Sequence, residues 1–175
     1  MIEKYGITAV NLCEMDVAFA KELSNVFGVI YNEYPAARGH LTNITLRNTS
    51  MMSESGVIAA FMPIFSFATS NTQTTYPWVI KTQMLLSSPY FLNKNKLEGS
   101  VKDGSSSGHF PPNSTIYSPV AHELGHYLSF LAMLNNYDMD SVLLIDANNI
   151  NTLYKVYEDF GKGYFSLKML QEAYN

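Results

Sequence analysis

The stretch SPVAHELGHYLSF, residues 118–130, decides how this chain is read. Ser118 followed by Pro119 is an ordinary helix opening, a capping hydroxyl and then a proline whose missing N–H is not needed in the first turn. Val120, Leu124, Leu128 and Leu131 recur at helical spacing and give the helix one apolar face to bury. The pattern predicts a helix running to about Leu134 and ending at Asn135-Asn136. His122 and His126 fall on a common face of that helix, so both imidazoles can meet one ion. Neutral imidazole is a good zinc ligand, and Glu123 lies beside the first histidine, where it can meet a water on the metal. The chemistry this predicts is hydrolysis. The ion makes the water acidic, Glu123 takes its proton, the hydroxide attacks a peptide carbonyl, and Glu123 passes the proton to the leaving amine. Gly125 costs about 1 kcal/mol against alanine inside a helix, which predicts a neighbour that needs its small size.

Upstream, Asp16 is a candidate N-cap for a helix on which Phe19, Leu23, Val26, Phe27, Ile30 and Tyr34 recur, and Pro35 ends it. Leu41 to Arg47 alternates and is rich in β-branched residues, as a strand does. The apolar run Val57 to Phe67 predicts a buried strand, bulged or at an edge where Pro63 sits. Trp78 to Leu86 is a third strand and the expected edge on which a peptide would lie in antiparallel pairing. The polar region from Asn93 to Asn113, which includes GSSSG, reads as a flexible loop leading into the HELGH helix. Two more helical patterns follow, at about 148–160 and 164–174. The expected architecture is therefore α+β: an N-terminal helix and a small mixed sheet packed on the HELGH helix, followed by a helical C-terminal part. Residues 1–175 form one domain, with an N-terminal lobe of about 1–135 and a helical lobe of about 136–175.

Composition narrows the function classes. With 47% apolar and only 15% charged residues the chain is globular, and a net charge of -4 without a basic cluster argues against nucleic acid or an anionic membrane as partner. The N-terminus has no apolar core followed by a small-residue cleavage site, so no signal peptide is expected and the chain reads as soluble. Secretion by another route, or a place in a larger particle, stays open. The single cysteine, Cys13, excludes an internal disulfide framework and reads as an inert buried thiol. Met51, Met52, Met84, Met133 and Met139 read as core filler. His109 precedes the metal helix in a loop from which it can approach the metal or the substrate, whereas His40 reads as structural or exposed.

PVAHELGHYLSF resembles the active-site helix of the zincin metallopeptidases, and the helix–strands–helix order before it resembles their N-terminal lobe. The resemblance spans most of residues 16–134 and is sharp only over the quoted motif. Ser129 and Ala132 stand where the metzincin extension would have its glycine and third histidine, which rejects that branch. The chain is then similar to the gluzincin type, and in general cast to the zincin-like domains of lethal-factor-like and other toxin-associated proteins and of phage minor-capsid proteins. The segments AARGHLTNI (36–44) and GHFPPN (108–113) add to that likeness. It implies a Zn2+ cofactor, a protein or peptide substrate, and a third ligand that is a carboxylate on a later helix. Glu172 ranks first and Glu158 second among candidates that also include Asp138, Asp140, Asp146 and Asp159, and Tyr164 is the residue that would stabilise the oxyanion. The chain stops at Tyr174-Asn175 inside a helical pattern without a cap, so a third ligand beyond residue 175 is a further expectation. A competing expectation is a zincin-fold module that no longer catalyses and serves as a structural or binding part of a phage-like or secreted assembly. The intact Glu123 favours the enzyme.

Overall fold

The computed structural model of the chain describes residues 2–48, 56–69 and 75–136. Over that span the fold is α+β, a four-stranded sheet with helices. Strand β1 (Thr8–Val10) leads through a short 3-10 turn to helix α1 (Val17–Glu33). Asp16 caps α1 as its sequence predicts, its side chain accepting from the Phe19 N–H at 2.9 Å, and Pro35 opens the turn that follows the helix. Strand β2 (Asn43–Arg47), strand β3 (Ala59–Thr69) and strand β4 (Thr75–Ser87) come next. The single turn α2 (Ser88–Phe91), helix α3 (Lys94–Ser106) and helix α4 (Ser118–Asn136) complete the described chain.

The sheet order is β1-β2-β4-β3, with β1, β2 and β4 parallel and β3 antiparallel to β4. This corrects the reading of the strand at Trp78–Leu86: β4 is interior, flanked by β2 and β3, and among the described residues the antiparallel edge is β3. Alternation alone does not separate the two, because both strands are apolar enough to be covered. The bulge expected near Pro63 is present as a register shift between Ile64 and Phe65.

A second correction falls on Asn93–Asn113. Lys94 to Ser106, the larger part of it, is helix α3, not loop. Asn93 caps it by accepting from the Lys96 N–H at 3.1 Å, and Leu97 and Val101, one turn apart, bury its apolar side. Two apolar residues among serines and glycines make a faint helical signature, but one is enough when the turn lands on a core.

That core is one cluster. Leu23, Phe27 and Tyr31 of α1, Ile44 and Leu46 of β2, Met84 and Leu86 of β4, and Val120, Leu124, Tyr127 and Phe130 of α4 all bury within it. Val120, Leu124 and Leu128 are buried and Leu131 partly so, as the apolar stripe predicts. The Tyr127 hydroxyl donates to the Ala37 carbonyl oxygen, tying α4 to the turn after α1. Met84 is core filler as expected, whereas Cys13 is exposed, contrary to the buried thiol expected from sequence. Met51, Met52 and Met139, the patterns at 148–160 and 164–174, and hence the expected second lobe lie outside the described residues. Among the described residues no helix is long and apolar enough to cross a membrane.

Candidate metal centre

Helix α4 packs on β3 and α1 through its apolar stripe and leaves His122 and His126 on its exposed side. Their Nε2 atoms stand 3.0 Å apart and their rings meet edge to face, with centroids 4.7 Å apart at 82°. Two nitrogens bound to one tetrahedral zinc are about 3.3 Å apart, so the pair fits two corners of such a site with little movement. The His122 imidazole is held below its ordinary pKa, first by desolvation and then by the neighbouring His126 and His109 rings, although the residue stays exposed overall. All three causes favour the neutral form, the one that binds metal.

Glu123, next to His122 on the helix, reaches the sheet. Its Oε2 accepts from the Phe61 N–H of β3 at 2.6 Å, a bond that nothing in the sequence announces, because its donor is backbone. The Phe61 ring is buried against Tyr127 and Phe130, centroids 5.7 and 5.9 Å away, so the strand is seated on the helix just where the carboxylate reaches it. Burial pushes the Glu123 carboxyl up to about 7, against the Phe61 N–H, which pulls it down. A carboxyl poised there is suited to exchanging protons near neutral pH. Oε2 is engaged, and among the described residues Oε1 accepts no hydrogen bond.

His109 is brought beside the pair, its ring centroid 6.4 Å from that of His122. A Schellman cap at the end of α3 puts it there: the His109 N–H bonds the Gly104 carbonyl at 2.8 Å and the Gly108 N–H that of Ser105 at 3.2 Å. Gly108 supplies the left-handed residue this cap needs, with φ of +78°. The buried Phe110 ring then lies edge-on to His122, centroids 6.3 Å apart, and the bare Cα of Gly104 makes room for it. Had α3 been read as a helix, Gly108 would have marked its end and fixed His109 near the site.

Other expectations fare differently. A Cβ on Gly125 would meet no atom within 4 Å among the described residues, so they contain no neighbour that needs its small size. His40 serves through its backbone, its carbonyl accepting from the Thr82 hydroxyl. Glu158, Tyr164, Glu172, Asp138, Asp140, Asp146 and Asp159 lie outside the described residues. Among those that are described, no third histidine, cysteine or carboxylate joins His122 and His126 in a metal-holding group. Compared with protein families, with curated proteins and with solved structures, the chain finds no match in any of the three.

Proposed function

We propose that the chain is a zinc-dependent metallopeptidase domain of zincin type, acting on a protein or peptide. The observation that carries this reading is the convergence of the His122 and His126 Nε2 atoms at 3.0 Å, in the same turn of helix as a carboxyl whose proton affinity is raised to about 7. His122 and His126 would hold the ion, with a third ligand from outside the described residues, Glu172 first and Glu158 second. Bound there, zinc supplies a Lewis acid that acidifies water and polarises a peptide carbonyl. Glu123 takes the proton of the attacking water on Oε1 and delivers it to the leaving nitrogen, while Phe61 holds Oε2 and fixes the carboxylate plane.

The edge strand suits a peptide. The Ile58 carbonyl accepts from the Ser87 N–H inside the sheet, and the Phe61 N–H leaves the sheet for Glu123. By the two-residue period of a strand, the groups of Ala59, Phe61 and Pro63 face outward. Phe61 has given its amide to Glu123 and Pro63 has none. The outer edge at this end therefore offers carbonyl acceptors and a single amide, so a substrate strand would bind mainly by donating its own N–H groups.

One observation favours the non-catalytic module. The Glu123–Phe61 bond gives the glutamate a structural task, tying α4 to β3, so its presence is not by itself a reason to expect catalysis.

Zinc content and affinity decide between the two, measured on the native protein, His122→Ala, Glu123→Gln and Glu172→Ala alongside peptide hydrolysis. The native protein is expected to bind one zinc tightly, and His122→Ala to lose tight binding. Glu123→Gln should keep zinc and lose hydrolysis by about 100-fold or more. A native protein that stays free of zinc at saturation overturns the enzyme reading. Zinc uptake without hydrolysis of any peptide supports the module. Unchanged affinity in Glu172→Ala moves the third ligand elsewhere.

A further inference from the structure

We propose that His109 is a catalytic residue of this site, its imidazole donating a hydrogen bond to the peptide carbonyl oxygen as negative charge gathers there. The proposal rests on the metallopeptidase reading above and adds a residue to it. Two imidazoles sharing one zinc have ring centroids about 5 Å apart, as His122 and His126 do at 4.7 Å. At 6.4 Å from His122 the His109 ring is too far out to share that ion and close enough to meet what the ion holds. Its side chain is exposed, and among the described residues neither ring nitrogen makes a hydrogen bond.

The ring is also held in place. The His109 and Phe110 N–H groups both bond the Gly104 carbonyl, at 2.8 and 3.1 Å, which anchors the backbone to the end of α3. The His109 ring rests edge-on against Phe110, centroids 5.0 Å apart, and Phe110 is buried against the metal helix. An exposed imidazole without a hydrogen-bond partner among the described residues, seated on a buried ring beside two candidate ligands, is a donor set in position before substrate arrives. Preorganised donors of this kind act on charge that develops in the transition state and leave ground-state binding largely alone.

The test compares native protein, His109→Ala and His109→Gln. Zinc affinity is read by competition with a chromophoric chelator. Acetohydroxamate binding to cobalt-loaded protein is read from the visible spectrum, and hydrolysis of a quenched-fluorescence peptide mixture is split into kcat and KM. We expect His109→Ala to keep zinc affinity within about twofold, to weaken acetohydroxamate about tenfold, and to lose about 100-fold in kcat with little change in KM. His109→Gln, whose amide can still donate, should recover part of both losses. A tenfold or greater fall in zinc affinity makes His109 a ligand and overturns the proposal. So does unchanged kcat and acetohydroxamate affinity in His109→Ala, with the metallopeptidase reading left intact. A native protein that takes up no zinc removes the centre, and this proposal with it.

Discussion

Glu123 is where a proton and the fold meet. In the metal-free protein its carboxyl sits near 7 instead of the usual 4.5, because burial disfavours the charge more than the Phe61 N–H favours it. The folded state therefore holds this proton over a range in which the unfolded chain has released it. Stability from this group is complete below about pH 4.5, falls as pH rises toward 7, and is level above that. Solvent screening of a half-buried side chain keeps the swing to about 1–2 kcal/mol. Urea unfolding of metal-free protein at pH 4.5 and 7.5 should show native losing that much relative to Glu123→Gln, and equal pH dependence in the two would refute it. The motif itself was legible in the sequence because its two histidines and glutamate sit on a helix announced by its own apolar stripe. The carboxylate's partner was not, since a backbone N–H belongs to every residue and only the strand's position selects Phe61. Exposure of Cys13 was equally hidden: thiols are buried so often that composition points the wrong way.

Among the elements, α3 carries the most consequence for the site. Asn93 starts it, the Schellman cap ends it, and its last turn aims the segment that brings His109 and Phe110 to α4. A Cβ on Gly104 would stand 2.6 Å from Cδ2 of Phe110, so Gly104→Ala must drive that ring off its seat. We expect a loss of about 1–3 kcal/mol by thermal unfolding, with His109 displaced in the histidine NMR spectrum. A stable variant with an unshifted His109 would sink this account of the turn. The sequence hid α3 because Leu97 and Val101 are its only buried apolar residues, and serine and glycine elsewhere imitate a loop. It hid the place of β4 for a different reason: whether a strand is central or lateral depends on what pairs beyond it, which no local pattern records. By contrast α1, with its Asp16 cap, and α4, with its long stripe, were readable almost to their ends, although Ser118, expected as the cap of α4, is its first residue and takes the Thr115 N–H on its hydroxyl.

At the scale of the whole molecule the α+β class followed from the order of apolar patterns, while the sheet's parallel majority required knowing that β3 folds back outside β4. Among the described residues that arrangement leaves an 11-residue apolar strand on the rim, and a rim left unpaired can pair with any extended segment, including its own copy. Two features blunt it: Pro63, which presents no donor, and the register shift just after it, which twists the edge away from a straight template. Pro63→Val restores an outward amide beside the Glu123 tie. At equal concentration we expect a larger oligomeric fraction than native by size exclusion with light scattering, and an unchanged profile would show the edge is guarded by something else. On the proposed function, the same short length of backbone has to stay approachable for a chain in transit and unattractive to a sister chain that would remain. Pro63 marks the boundary between these demands, a proline that limits how long any visitor can become part of the sheet.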